Sequence, residues 1–255
     1  MDFTGKSVLI TGASRGIGYG IAKAFASAGA DLTIVADDPK TTDAAAELGK
    51  LAGRPVRGMI ADIADRAAVT STVGTLEKID VLINNAGLEL ITPIDEKGGE
   101  VEDTFRRIVD INVNGSFFVT REALRKIPDG GRIIFTASVW GKSAEAGFSA
   151  YCASKHAVIG LMRTLAKELG PRNITVNAVC PGWVKTVASM RSLGRMAVRE
   201  KRDEQALLDD IVATQAIGGL MQPDDIAGPY LFLASTAAAN ITGQALNIDR
   251  GELMS

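Results

Sequence analysis

"TGASRGIG", residues 11–18, decides the fold, because it joins a buried apolar segment to a helix through a glycine-rich turn. The apolar segment is "SVLIT" (7–11), and the helical pattern follows the turn directly. Gly12 permits a tight turn, Gly16 lets the backbone approach a pyrophosphate, and Gly18 allows the helix to pack closely. The N–H groups at the start of such a helix lack helical partners and bind phosphate. The stretch therefore predicts a nucleotide-binding site.

Short apolar segments alternate with longer helical patterns along the chain, including a long helix around residues 100–126. This alternation predicts a parallel sheet with helices on both faces. The segments lack the polar–apolar alternation of half-exposed strands, which indicates burial on both sides. We therefore predict the α/β class: a single-domain Rossmann fold over residues 1–255, with a doubly wound, seven-stranded parallel sheet. The predicted strands are residues 7–11, 31–36, 56–61, 80–85, 132–138, 174–180 and 245–249.

The charge and cysteine content narrow the class of protein. The 255 residues carry 28 basic and 30 acidic side chains, so no basic excess favours nucleic acid as a partner. Two cysteines are too few for a disulfide framework and suit a reducing compartment. No apolar run approaches the roughly 20 residues that span a bilayer, and we expect no signal peptide before the first strand. We expect a cytoplasmic protein with no membrane partner.

The end of the second predicted strand bears on the choice of cofactor. Asp37 follows that strand about 20 residues beyond the glycine turn, where a carboxylate accepts hydrogen bonds from a ribose and repels a 2′-phosphate. Two observations leave the choice open. Asp37 and Asp38 also suit a simple turn before Pro39, and Arg15 in the glycine turn could meet a 2′-phosphate. We expect NAD rather than NADP.

Six short motifs together resemble the short-chain dehydrogenase/reductase family, and the likeness runs from the first strand to nearly the end of the chain. They are "TGASRGIG" (11–18), "NNAG" (84–87), Asn112 in "INVNG", Ser138, "YCASK" (151–155) and "PGWVKT" (181–186). The resemblance implies an NAD(P)-dependent enzyme that acts on CH–OH groups, and an assembly that is a homotetramer or homodimer.

The same resemblance implies where the cofactor is bound. Asp62 lies where the family holds the adenine ring, and Thr186 is expected to hydrogen-bond the nicotinamide carboxamide. The full set of implied cofactor-binding residues is Gly12, Ser14, Arg15, Gly16, Ile17, Gly18, Asp37, Asp62, Ile63, Asn85, Ala86, Gly87, Tyr151, Lys155, Pro181, Gly182, Val184 and Thr186.

Proton transfer is predicted to depend on Tyr151 and Lys155, which lie four residues apart and about 40° apart around a helix axis. An ammonium beside a phenol favours the phenolate and lowers the phenol's pKa. Ser138 can hydrogen-bond the substrate oxygen, and Asn112 can hold a helix carbonyl and a water. The family resemblance gives these four residues the same catalytic roles. His156 is turned about 140° away from Tyr151 and has no metal cluster to join, so no metal is expected.

Substrate-facing positions around the phenol carry Glu89, Ser138, Trp140 and Trp183. Tryptophan offers an apolar face to an aromatic ring or to the C–H face of a sugar, and Glu89 can bind hydroxyl groups. An alternative is that Glu89 points to solvent. Residues 183–222 carry a charged segment that is either a solvated helix pair or a lid over the cleft.

The leading hypothesis is an NAD-dependent dehydrogenase of a secondary alcohol, such as a small polyol, sugar or hydroxy acid. One alternative is an NADPH-dependent 3-oxoacyl-thioester reductase, because "TGASRGIG" is also similar to the glycine turn of that enzyme. Another is a non-catalytic, nucleotide-sensing protein with the same fold. The presence of all four catalytic residues argues against the sensing protein.

Overall fold

One seven-stranded sheet organises the chain in a computed structural model that describes residues 1–254. All six neighbouring strand pairs are parallel, and the order is β3-β2-β1-β4-β5-β6-β7. The predicted fold class is confirmed. The strands are β1 Ser7–Thr11, β2 Asp31–Ala36, β3 Arg57–Ile60, β4 Val81–Asn84, β5 Arg132–Thr136, β6 Thr175–Pro181 and β7 Ala245–Ile248.

Helices cover both faces of this sheet. They are α1 Gly16–Ser27, α2 Thr41–Ala52, α3 Arg66–Val73, α4 Glu100–Val109, α5 Ser116–Ala123, α6 Ser149–Leu169, α7 Val187–Glu200, α8 Glu204–Ala213 and α9 Ala227–Ala234. The core divides accordingly into two apolar clusters. Phe25 of α1 and Leu48 of α2 pack on one face, while Val69 of α3 and Met162 of α6 pack on the other. This burial on both faces explains why the strands are apolar throughout.

The helix predicted around residues 100–126 is not continuous. A π-helical turn, Asp110–Gly115, separates α4 from α5. Wider turns of this kind occur frequently at functional sites. Here the turn contains Asn112, which is only 1% exposed.

The strand order reverses between β1 and β4, and this reversal opens a crevice at the carboxyl ends of the strands. At one end of the crevice, α7 and α8 pack through Leu193, Met196 and Leu207 against Phe148 and Trp183. The charged segment therefore forms a helix pair with a buried apolar side. Within residues 1–254, no helix is both long and apolar enough to cross a membrane.

Candidate active site

The glycine turn forms the floor of the crevice between β1 and α1. Gly12 has a φ of +67°, and a Cβ atom there would lie 2.6 Å from the Cα of Ala86. A Cβ atom on Gly18 would lie 2.2 Å from the carbonyl oxygen of Gly12. Only glycine fits either position, which keeps the backbone open to a ligand. The Arg15 side chain does not cap α1, so it leaves the first N–H groups of the helix free for phosphate.

The segment after β4 holds this turn in place. Asn85 donates from Nδ2 to the carbonyl oxygens of Thr11 and Gly12, at 3.1 Å each. The Thr11 hydroxyl in turn accepts the backbone N–H groups of Asn85 and Ala86, at 3.1 Å each. These bonds tie "NNAG" to the glycine turn over more than 70 residues of sequence. The two motifs therefore form one rigid wall of the crevice.

Acidic side chains lie at the adenosine end that the sequence predicts. Asp37 is exposed at the end of β2 and lines the cleft. Asp38 forms an ion pair with Arg15, so the basic residue of the glycine turn already has an anionic partner. Asp62 also lines the cleft, but its Oδ2 lies 2.6 Å from the Arg107 guanidinium. Burial opposes ionisation of Asp62, but the hydrogen bonds from Arg107 and the Ala64 backbone, together with the charge of Arg107, outweigh it and lower the pKa.

A single cleft, with about 350 Å³ of free volume, connects this end to the tyrosine and lysine of α6. Of the predicted cofactor-binding residues, only Ser14 does not line it. The residues that do are Gly12, Arg15, Gly16, Ile17, Gly18, Asp37, Asp62, Ile63, Asn85, Ala86, Gly87, Tyr151, Lys155, Pro181, Gly182, Val184 and Thr186. A cleft lined by a glycine turn at a helix N-terminus and by the Asp37 and Asp62 carboxylates fits a dinucleotide.

Tyr151 and Lys155 share one face of α6, as their spacing predicts. The Lys155 Nζ lies 5.4 Å from the centroid of the tyrosine ring and donates to the carbonyl oxygen of Thr136, at 2.8 Å. Thr136 ends β5, so the sheet itself positions the ammonium. Sequence reasoning missed Thr136, because a backbone carbonyl leaves no signal in residue type.

The pKa of Tyr151 differs from the sequence expectation, and the pKa of Lys155 is shifted as well. Burial raises the pKa of Tyr151, the negative charge of Glu89 adds to the rise, and Ser138 only partly offsets it. Burial lowers the pKa of Lys155 from 10.5 to about 8. The expected lowering of the phenol's pKa is therefore not found in the chain alone, because the loss of hydration outweighs the nearby ammonium.

Asn112 holds the loop that follows "NNAG" rather than a helix carbonyl. Its Oδ1 accepts the Leu88 N–H at 2.7 Å, and its Nδ2 donates to the Leu88 carbonyl at 3.0 Å. Nδ2 also donates to Ser154 Oγ at 2.9 Å, and Ser154 donates to the Tyr151 carbonyl at 2.8 Å. Asn112 does not line the cleft. It links the loop beside the cofactor cleft to the helix that carries the tyrosine.

Ser138 lies two residues beyond β5 rather than at its end. Its Oγ accepts the Trp140 N–H at 3.1 Å, which fixes the hydroxyl at the start of a short 3₁₀ turn. The indole of Trp140 meets the Tyr151 ring edge-on at 6.1 Å and the Trp183 ring at 6.1 Å. Ser138 and both tryptophans line the cleft, so its tyrosine end is largely aromatic.

Polar groups border this aromatic end. Glu89 is half-buried and lines the cleft, and its backbone carbonyl accepts from Arg191 of α7 at 2.6 Å. Burial raises the pKa of Glu89, against the opposing effects of Ser192 and Arg191. Glu252, in the segment after β7, also lines the cleft and was missed by sequence reasoning. A lone glutamate at the end of a chain carries no motif that could have identified it.

The remaining reactive side chains of α6 lie outside the cleft. His156 is exposed, and its Nδ1 lies 2.9 Å from the Cys152 carbonyl. Cys152 is buried among the residues that pack against α7 and α8. Within residues 1–254, no group of histidine, cysteine and acidic side chains is placed to hold a metal ion.

The fold and the cleft are those of a nicotinamide-dependent oxidoreductase. The chain belongs to the short-chain dehydrogenase/reductase family, whose members act on CH–OH groups. A family model described as "Enoyl-(Acyl carrier protein) reductase" matches residues 12–252. A D-beta-hydroxybutyrate dehydrogenase from Cupriavidus necator is 36% identical, with 97% of each chain covered. A 3-oxoacyl-(acyl-carrier-protein) reductase from Rickettsia conorii is 34% identical, with 100% of this chain and 99% of the relative covered.

Solved structures give the same family and both cofactors. An NAD⁺-bound xylitol dehydrogenase is 29% identical, with a TM-score of 0.90 over 97% of this chain and 99% of the other. A blue fluorescent protein from a metagenomic library, in complex with NADPH, is 34% identical with a TM-score of 0.86 over both complete chains. The chain is thus an NAD(P)-dependent oxidoreductase, and these likenesses leave the preferred dinucleotide and the substrate open.

Proposed function

We propose that this protein is an NAD-dependent dehydrogenase that interconverts a small secondary alcohol and its ketone. The observation that carries the proposal is the Tyr151 phenol, which lines, with Ser138 and Lys155, the same cleft as the glycine turn and Asp37. Nicotinamide, when bound, supplies the acceptor or donor of the hydride. The chain itself then has to move one proton at the substrate oxygen.

Each catalytic side chain has a role that follows from its position. The Tyr151 hydroxyl donates its proton to a ketone oxygen, and in the opposite direction the Tyr151 phenolate takes a proton from an alcohol. The Ser138 hydroxyl holds the substrate oxygen and stabilises negative charge on it. Lys155, fixed by the Thr136 carbonyl, places positive charge beside the phenol. Asn112 positions the loop at Leu88 and, through Ser154, the helix turn that carries Tyr151.

Replacing Tyr151 with phenylalanine tests the catalytic assignment, because it keeps the ring and removes the proton. Turnover should fall by about 10²–10⁴-fold, the usual contribution of general acid–base catalysis. NADH binding, followed by its fluorescence, should persist with a similar affinity. A variant that turns over at a near-normal rate would refute the assignment. His156→Gln is the matched control on the same helix and should retain turnover, because the His156 side chain lies outside the cleft.

The preference for NAD rests on the charges at the adenosine end. Asp37 lines the cleft as an exposed carboxylate, and Arg15 is already paired with Asp38. A 2′-phosphate would therefore meet one unpaired carboxylate and a neutralised guanidinium. Values of kcat/KM with NAD and NADP on the same substrate test this. A clear preference for NADP would contradict the argument.

The substrate class follows from the tyrosine end of the cleft. Trp140 and Trp183 offer flat apolar surfaces, and the Glu89 carboxylate lies beside them. Aromatic faces with a carboxylate suit a small polyol or sugar, whose C–H groups stack while its hydroxyls donate. A screen of polyols, sugars and hydroxy acids, followed by NADH absorbance, identifies the substrate.

A second candidate is an NADPH-dependent reductase of a 3-oxoacyl thioester. It is supported by the 34% identity to the 3-oxoacyl-(acyl-carrier-protein) reductase. Reduction of acetoacetyl-coenzyme A with NADPH, at a rate above that of any polyol oxidation with NAD, would favour this candidate.

The proposed function also includes a role for helices α7 and α8 and an oligomeric state. We propose that α7 and α8, within residues 183–222, form a lid, since Val187 and Arg191 line the cleft and Arg191 bonds to the Glu89 carbonyl. We also propose a cytoplasmic homotetramer or homodimer, which light scattering can test.

A further inference from the structure

The segment after β7 brings a carboxylate into the substrate end of the cleft. Asp249, which is 5% exposed, accepts the backbone N–H groups of Gly251 and Leu253 at 3.0 and 2.9 Å. The Glu252 N–H donates to the Asp249 carbonyl at 3.1 Å. These three bonds close a tight turn, and the turn directs the Glu252 side chain to the cleft wall.

The backbone beside Trp183 makes room for this carboxylate. A Cβ atom on Gly182 would lie 2.9 Å from Glu252 Oε2, so a larger residue at position 182 would displace the glutamate. Gly182 and Trp183 both line the cleft next to Glu252. The carboxylate therefore lies against the same loop that carries one of the two aromatic walls.

Glu252 has a hydrogen-bonding capacity that the described part of the chain does not use. Its Oε2 is buried and has no hydrogen-bond partner among residues 1–254. A buried polar atom without a partner is costly, so native structures rarely keep one without a functional reason. Burial, with the charges of Asp249 and Glu145, also raises the pKa of Glu252, and a hydrogen bond from the Trp183 backbone only partly offsets this rise. Its other oxygen, Oε1, is not buried in this way, so Oε1 is the atom that a hydroxyl group in the cleft can reach.

We propose that Glu252 is a specificity-determining residue that accepts a hydrogen bond from a substrate hydroxyl remote from the reacting carbon. The inference deepens the proposed function and rests on it. A neighbouring hydroxyl is the donor that a carboxylate beside a tryptophan ring binds well, because the ring covers the C–H groups between the hydroxyls. A substrate carboxylate at the same place would be repelled. The site therefore selects polyhydroxylated alcohols over hydroxy acids.

The test uses three probes with the complete chain and NAD: xylitol, 2-pentanol and 3-hydroxybutyrate. In Glu252→Leu, the ratio of kcat/KM for xylitol to that for 2-pentanol should fall about tenfold or more, because only xylitol loses a hydrogen bond. In Glu252→Gln, the ratio for 3-hydroxybutyrate to that for xylitol should rise, because the repulsive charge is gone. Glu122→Gln is the matched control: Glu122 is also half-buried, but it does not line the cleft. Ratios that stay within twofold of wild type in both Glu252 variants would overturn the proposal.

A binding measurement separates this inference from the proposed function. The chain has two tryptophans, and both line the substrate end, so intrinsic fluorescence reports on this site directly. Xylitol should change the fluorescence of the wild type saturably, with an affinity about tenfold weaker in Glu252→Leu. If wild type and Glu252→Leu bind xylitol equally well and 2-pentanol is still oxidised, the role of Glu252 is refuted but the proposed dehydrogenase activity is not. If xylitol binding depends on Glu252 but no alcohol is oxidised, the proposed dehydrogenase activity is refuted and the binding role of Glu252 is not.

Discussion

Replacing Lys155 with methionine should change how the stability of the cofactor-free protein depends on pH. Lys155 is 4% exposed, and burial lowers its pKa from 10.5 to about 8. The folded chain therefore releases the lysine proton near pH 8, whereas the unfolded chain keeps it until about pH 10.5. Between these values the unfolded state binds more protons, so the stability of the wild type rises with pH. Methionine does not titrate, and the variant lacks this rise.

The size of the effect follows from the two pKa values of Lys155. A difference of about 2.5 pH units, at 1.36 kcal/mol each, makes the buried ammonium cost about 3 kcal/mol near pH 7. About 2 kcal/mol of that cost is gone by pH 9.5. Methionine also leaves the Thr136 carbonyl without the bond from Nζ, which costs of order 1–3 kcal/mol at every pH. The change with pH thus isolates the charge from the lost hydrogen bond.

Urea unfolding at about pH 7, 8 and 9.5, at equal protein concentrations, measures this difference. The free energy of unfolding of Lys155→Met, relative to wild type, should fall by about 2 kcal/mol over that range. Lys167→Met provides the control, because Lys167 lies exposed on the same helix. If the free energies of unfolding of Lys155→Met and wild type change with pH in parallel, to within about 0.5 kcal/mol, burial does not lower the pKa of Lys155 to the extent used here.

Two further substitutions test the ion pair of the glycine turn and a buried hydrogen bond of Thr136, the residue that holds Lys155. Asp38→Asn removes the negative partner of Arg15, so kcat/KM with NADP should rise about tenfold relative to NAD, and an unchanged ratio would show that the pair does not set the preference. Tyr230→Phe removes a fully buried hydroxyl that lies 2.7 Å from Thr136 Oγ1, and it should lower the free energy of unfolding by about 1–2 kcal/mol in urea. Tyr19→Phe, at an exposed hydroxyl, should cost less than about 0.5 kcal/mol, and equal losses in the two variants would contradict the burial argument.

The sheet and the glycine turn could be predicted because their signals are local. A strand buried on both faces must be apolar along its whole length, and that pattern is visible within five to seven residues. Gly12 and Gly18 are required by contacts at 2.2–2.6 Å, which exclude every side chain. The pairing of Tyr151 with Lys155 is also local, since helical geometry alone places residues four apart on one face.

The parts that could not be predicted depend on contacts between distant segments. Thr136 holds Lys155 through its backbone, and Tyr230 reaches the Thr136 hydroxyl across 94 residues. Glu252 enters the cleft only because the turn at Asp249 directs it there. The residue types of the π-helical turn that positions Asn112 do not distinguish it from an ordinary α-helix. Each of these contacts is set by tertiary packing, which a single sequence does not display.

Burial biases Tyr151 and Lys155 towards their neutral forms, and this bias has a consequence for the direction of the reaction. It raises the pKa of the phenol and lowers that of the ammonium, and the charge of Glu89 strengthens the effect on the phenol. A neutral phenol is a proton donor, which reduction of a ketone requires, whereas oxidation of an alcohol requires the phenolate. Positive charge beside the ring favours the phenolate, and oxidised nicotinamide carries such a charge while the reduced form does not. In the mechanism that we propose, a bound oxidised nicotinamide would therefore favour the phenolate of Tyr151 and a bound reduced nicotinamide its neutral phenol, which are the forms that oxidation and reduction require.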